Sequence, residues 1–426
     1  MTLVVFTFSL LGAMALGVPI ALALIFCGLA MMWQMRLMDA QIIAQNFILG
    51  ADSFPLMAIP FFILAGEIMN TGGLSKRIID FALAMVGHIR GGLGYVAVLA
   101  CCVLASMTGS AAADAAAVGT LLIPMMVSAG HDKNKSAGLV AAGGIIGPII
   151  PPSIQFVLLG VTGGLSIYKL FMAGIVPGIL IGGSLCVTWY LVVRKESSAL
   201  PPRVSLKEGI RRFLSASWAL MLPGIIIFGM KFGLFTATEA AAVAAVYALF
   251  VATCIYKELK FSELYGVLLR SAKTTSVIML LCAAAMVSAW LIAVTDVAGQ
   301  VGRLLEPLMG SPLLLMLAIQ ALVVIIGTAL DAAPTVLILT PVLLPIIKQA
   351  GIDPIYFGVV FVVNNCIGLI TPPVGTTLNV VAGVARIGMD ELMVGVWPFL
   401  IAELIVLFAM VFFPSLVMVP AKWFIG

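Results

Sequence analysis

Apolar stretches of membrane-spanning length follow one another along most of the chain, parted by short polar loops. About 20 such residues are enough for a helix to cross a bilayer. Strand-like alternation is absent, and only helices or closed barrels satisfy the backbone inside hydrocarbon. The pattern therefore predicts an all-α integral membrane protein. Leu3–Trp33 reads as a first crossing bent at Gly17-Val18-Pro19, Arg36–Ala51 as a mixed loop, and Phe54–Asn70 as a second crossing. Leu74–His88 gathers Lys76, Arg77 and Asp80 on one side, the signature of an amphipathic helix lying in the interface.

Two regions interrupt this pattern. In 93–128 the polar cluster Ser106-Met107-Thr108-Gly109-Ser110 separates two apolar arms, each of about 14 to 17 residues and so short of a full span. A re-entrant helical hairpin is expected there. Its flanks carry His88, Arg90, Lys133 and Lys135, which places its mouth on the cytoplasmic side. Region 136–162 follows as a transmembrane helix broken at Gly147-Pro148 and Pro151-Pro152. Later, 313–347 and 354–384 read as a second hairpin and a second broken helix.

These copies align without a gap at an offset of 221 residues, as from Pro151 to Pro372. The same offset pairs Pro124 with Pro345, Asp132 with Asp353, Gly147 with Gly368, Gly174 with Gly395 and Pro177 with Pro398. One shared Pro-Pro is weak evidence; this many matches indicate duplication. Residues 1–193 form the first repeat and 194–214 a basic cytoplasmic linker. Residues 215–232 add an extra transmembrane helix, and 233–426 form the second repeat. The extra pass makes the crossings between copies odd, so the copies are expected to be inverted. Inverted repeats with interrupted helices mark secondary transporters that bind near the bilayer midplane.

Composition agrees: 63% of residues are hydrophobic and only 9% charged, against about 25% charged in a soluble domain. The net charge of +4 sits in short loops, as orientation signals do, and gives no reason to expect nucleic acid. The seven cysteines lie in apolar runs without CxxC spacing and read as small buried hydrophobes. His88 and His131 fall in loops, so no transition-metal site and no organic cofactor are expected. The long apolar N-terminal segment lacks a cleavage signal and reads as a retained helix.

A helix broken within the membrane exposes backbone groups that lipid cannot satisfy. They are tolerated against a cavity, an ion or a polar solute. Helix-end carbonyls suit hard cations such as Na+, and helix N-termini attract anions. Ser106, Thr108 and Ser110 add oxygens at the first tip, and Thr328 and Asp331 at the second. Ser153 and Gln155 follow the first break; Asn364, Asn365, Thr371, Thr376 and Thr377 surround the second. The bland alternative is that serines and threonines bond back to their own helices. Asp114 and Asp331 are intramembrane acids and functional by default, though Asp114 serves equally well as a structural partner or a proton-sensitive group. Glu67, Arg270, Lys273 and Glu403 lie nearer expected helix ends and read as anchors.

With ASMTGSAAADAAAVGTLLIPMM at 105–126, GGIIGPIIPPSI at 143–154 and NNCIGLITPPVG at 364–375, the chain resembles the DctM-like large membrane subunit of TRAP (tripartite ATP-independent periplasmic) transporters along essentially its whole length. The resemblance implies a Na+-coupled importer in the bacterial inner membrane. Its solute would be a small organic acid: a sialic acid, a C4-dicarboxylate or a sugar-derived keto acid. It also implies two partners, a small four-helix membrane subunit and a periplasmic substrate-binding protein. The small subunit is not expected to be fused here. An elevator motion is implied too, with hairpins and broken helices moving as one body. Carried onto this chain, one sodium site falls on Ser106, Ser110 and Gly147 and another on Gly327, Asp331 and Thr371. The solute falls between the tips, near Thr108, Pro152, Ser153, Thr328, Pro373 and Thr376.

Two other readings compete with this one. A stand-alone Na+/carboxylate symporter of the same superfamily would need no binding protein. An intramembrane aspartyl protease would need a Gly-x-Gly-Asp context, whereas Asp331 follows Ala-Leu and Asp114 follows three alanines. No Gly-x4-Gly-Lys-Ser/Thr loop is present, which disfavours an ATP-driven pump.

Overall fold

The computed structural model describes residues 2–194, 203–328, 330–372 and 374–425. The first half contains α1 (Thr2–Ala15), α2 (Ile20–Met35), α3 (Ala40–Ala51), α4 (Ala58–Thr71), α5 (Leu74–Val86), α6 (Gly92–Thr108), α7 (Ala111–Ser128), α8 (Lys133–Gly144), α9 (Ile154–Gly163) and α10 (Ile167–Val193). The second contains α11 (Leu206–Lys231), α12 (Ala237–Phe250), α13 (Phe261–Val294), α14 (Val297–Met309), α15 (Pro312–Gly327), α16 (Ala332–Gln349), α17 (Pro354–Gly368), α18 (Thr376–Ala385), α19 (Met389–Phe412) and α20 (Ser415–Ile425). Among the described residues there is no strand. Eight helical stretches are long and apolar enough to cross a membrane. The longest, α13, has 34 residues and so spans about 51 Å.

Helix boundaries follow the 221-residue offset closely. Ala111–Ser128 and Ala332–Gln349 match at both ends. Lys133 and Pro354, which open α8 and α17, match as well. The caps explain why. Asp132 and Asp353 each accept bonds from backbone N–H groups of the next turn, at 2.9 Å from Lys135 and 2.8 Å from Ile355, and so fix where the helix begins.

The two copies pack crosswise. Helix α9 lies on α16, α18 on α7, and α8 on α19. The last contact brings main chains together at Gly138 and Gly395: a Cβ at Gly395 would strike the Asn134 carbonyl. Around this centre, α2 and α3 run along α13, α12 along α4, and α5 along α11.

Several elements differ from expectation. The first apolar stretch is two helices packed side by side, since Gly17 (φ +79°) reverses the chain before Pro19. The expected loop at 36–51 is mostly α3, capped by Asp39, whose side chain accepts from Gln41 at 2.8 Å. Helix α11 begins at Leu206, inside the expected linker, and linker residues 195–202 lie outside the described residues. The arms around the two tips have 17 and 18 residues, then 16 and 18. The later arm of each pair is long enough to cross alone.

Candidate functional site

Each polar tip rests on a helix break. At the first, Gly109 takes φ +64° and turns the chain from α6 into α7. A Cβ at Gly109 would lie 2.9 Å from the Pro152 carbonyl oxygen and 3.3 Å from the Ile154 nitrogen. Ser110 caps α7, accepting from Ala113 N–H at 3.5 Å. Thr108 donates its hydroxyl to Asp114 Oδ1 at 2.5 Å. Asp114 is 1% exposed, and its Oδ2 has no partner. A Cβ at Gly147 would run into that oxygen, so a larger residue there would push the Asp114 carboxylate aside.

The second tip is built by closer contact. A Cβ on Gly368 would lie 2.8 Å from Gly327 Cα and 2.9 Å from its carbonyl oxygen. Asp331 caps α16, accepting from Ala332 N–H at 2.8 Å and from the Thr376 hydroxyl at 3.3 Å. Asn365 donates to the Ala332 carbonyl at 2.8 Å, which leaves its buried Oδ1 unpartnered. Gln155 and Cys366 join the two breaks through a contact of 3.6 Å.

The predicted residues divide accordingly. The structure brings together Thr108, Ser110, Gly147 and Pro152 at the first tip, and Gly327, Asp331 and Thr376 at the second. Ser106, Thr328 and Thr371 donate their hydroxyls to carbonyls three or four residues back: Val103 at 2.5 Å, Ile325 at 2.7 Å and Ile367 at 2.8 Å. Ser153 caps α9, accepting from Phe156 N–H at 3.2 Å while donating to the Pro148 carbonyl. Pro373 lies outside the described residues.

Four helices, α7, α9, α16 and α18, start at these tips and breaks, after Ser110, Ser153, Asp331 and Gly375. Their N-termini carry partial positive charge suited to a carboxylate. The preceding helices α6, α8, α15 and α17 end there, with carbonyls suited to a hard cation.

The model of the family described as "Tripartite ATP-independent periplasmic transporter, DctM component" matches residues 7–416. The chain belongs to this family. It is 54% identical over 423 residues to the 2,3-diketo-L-gulonate TRAP transporter large permease protein YiaN of Escherichia coli (strain K12), covering 99% of this chain and 100% of that one. It is 37% identical over 419 residues, 98% of each chain, to the sialic acid TRAP transporter large permease protein SiaM of Vibrio cholerae. In fold it is similar to the YdaH transporter of Alcanivorax borkumensis, with TM-score 0.67 and 15% identity over 92% of this chain and 91% of that chain. As a DctM-family permease with eight candidate spans, it is a multi-pass protein of the bacterial inner membrane.

In this permease, Asp114 and Asn365 join the tips; the sequence marks Asp114 as an intramembrane acid and sets Asn365 beside the second break, without making either an ion ligand. The signal for Asp114 was its spacing: four residues after Ser110, it returns to the same helix face. Glu403 differs from its reading as an anchor. It lies well inside α19, 0% exposed, with no hydrogen-bond partner for either carboxylate oxygen.

Proposed function

We propose that this chain is the permease subunit of a Na+-driven TRAP importer of a small organic acid. The observation that supports this reading is the meeting of each tip with a break through bare backbone, at Gly109 with Pro152 and Gly327 with Gly368. Unpaired oxygens stand beside both meetings: Asp114 Oδ2 at the first and Asn365 Oδ1 at the second. One Na+ binds at the first tip among Ser110, Asp114 and the chain at Gly147. Another binds at the second among Gly327, Asp331 and Asn365. Oxygen-only ligation suits an alkali cation.

The solute carboxylate is held between the tips by the starts of α9 and α18, while the Thr108 and Thr376 hydroxyls stay bonded to Asp114 and Asp331. Each helix N-terminus contributes about 0.3–1 kcal/mol, more when partly buried. Bound Na+ offsets the Asp114 and Asp331 charges and holds each tip against its break, so the loaded pieces cross as one body in an elevator motion. The tips enter and leave the bilayer on one side as re-entrant hairpins, and the copies are inverted.

A small four-helix membrane subunit and a periplasmic binding protein complete the system. The most similar of the relatives above is named for 2,3-diketo-L-gulonate, which favours a sugar-derived keto acid over a sialic acid or a C4-dicarboxylate. Uptake by the reconstituted complex, tested against a panel of organic acids, decides the matter. Uptake should require the binding protein and fall at least tenfold when K+ replaces Na+. Indifference to that exchange removes the coupling ion. Uptake by this chain alone favours a stand-alone symporter.

A further inference from the structure

Charge is scarce in this chain, yet three arginines converge on one pocket away from both tips. The pocket, about 300 Å³, is lined by Arg77 and Asp80 of α5 and by Glu208, Arg211, Arg212 and Ser215 of α11. It is prearranged. The Arg77 guanidinium lies 3.8 Å from the centre of the Tyr256 ring and pairs with Glu258 at 2.7 Å. Arg212 pairs with Glu208 at 3.1 Å and also donates to the Asp80 carbonyl at 3.4 Å, tying α11 to α5. Among the described residues Arg211 makes a long pair with Glu208, at 3.7 Å, and its side chain is 83% exposed. It has donors to spare.

The surroundings say what reaches this pocket. The facing stretches 74–80 and 206–212 carry Lys76, Arg77, Lys207, Arg211 and Arg212 against Asp80 and Glu208, an excess that survives counting Glu258. Beside the pocket α11 presents Ile210, Phe213 and Leu214 outward, with Phe213 packed on Phe81 at 5.4 Å. Helix α5 is amphipathic, and the basic residues put this end of the bundle at the cytoplasmic headgroup layer. A charged recess bordered by outward apolar side chains matches a molecule with an anionic head and hydrocarbon tails. Basic pockets of this kind between helices on the cytoplasmic side hold acidic lipid headgroups.

We propose that this pocket binds the phosphodiester headgroup of an anionic phospholipid from the cytoplasmic leaflet. Arg211 and Arg212 grip the phosphate in bidentate fashion, and the acyl chains run along the Phe213 face of α11. The lipid bridges α5, α11 and the segment after α12 that carries Tyr256, away from the moving helices.

The test is a thermal-shift titration of the purified full-length chain in neutral detergent. Dioleoylphosphatidylglycerol should raise Tm saturably; dioleoylphosphatidylcholine and inorganic phosphate should not. Arg211→Gln with Arg212→Gln should move the phosphatidylglycerol midpoint at least tenfold higher. Arg303→Gln, on α14, removes one positive charge elsewhere and should leave it in place. Should the double variant fail to fold, Ser215→Phe narrows the pocket without changing charge and should also weaken binding. An unchanged midpoint in the pocket variants overturns the proposal. So does equal stabilisation by inorganic phosphate, or equal weakening by Arg303→Gln.

Discussion

The two tips occupy places 221 residues apart in the chain, yet they hold their acid differently. Ser110 caps α7, and the residue 221 positions later, Asp331, caps α16. One turn further on stand Asp114 and, again 221 later, Thr335. Acid and hydroxyl have exchanged places between copies, at i and i+4 on one helix face. The first carboxylate is enclosed, bonded to Thr108, with one oxygen unspent. The second is exposed, with Oδ1 bonded to Ala332 N–H and Thr376. One tip therefore depends on packing and the other on access, so equivalent substitutions should fail in different ways.

The largest effect is expected at Asp331. Asp331→Asn keeps an equally good helix cap but removes the charge. Na+-driven uptake in proteoliposomes should fall about a hundredfold, roughly 2.7 kcal/mol, with Tm unchanged; near-normal uptake would remove Asp331 from the ion site. Gly368→Ala should follow, because its Cβ meets Gly327 main chain, which cannot swing aside. Overpacking of this kind costs about 1–3 kcal/mol, so both Tm and uptake should drop. Gly327→Ala, whose nearest contact is 3.2 Å, should be milder; the reverse order would contradict the packing described.

The exchange itself can be tested. Ser110→Asp places a second acid at the first tip, and adding Asp114→Thr restores the arrangement of the other copy. The double variant should take up solute at least tenfold faster than Ser110→Asp alone, if one carboxylate per tip is what matters. Equal rates would make the exchange incidental. The smallest effect is expected at Ser106, whose hydroxyl is committed to Val103. Ser106→Ala should change the Na+ concentration for half-maximal uptake by less than about threefold, near 0.6 kcal/mol. A tenfold change would mean that the hydroxyl turns to the ion.

Much of this was legible in the residues. The offset, the two breaks and the polar tips are written in Gly, Pro, Ser and Asp, which act locally on the backbone. What escaped was decided by packing. Hydropathy cannot distinguish one helix bent at Gly17 from two helices folded together, because both stretches are apolar along their whole length. It also read Ala40–Ala51 as a loop, where α3 lies along α13, since AQIIAQN mixes polar and apolar positions. Asp114 was seen, but its enclosure depends on Gly147, distant in sequence. Glu403 reads as an end marker because charge usually ends a span; α19 continues through it. In the other copy the matching position is Gly182, so the carboxyl has no twin.

The crosswise seating of α9 on α16 and α18 on α7 has an evolutionary consequence. Neither half can finish its own interior, because each lends a short helix to its sibling. A shortened descendant carrying one copy would have to recruit a second copy of itself to regain the same walls. A change at either of these surfaces has to be tolerated by both halves, which ties their sequences together there.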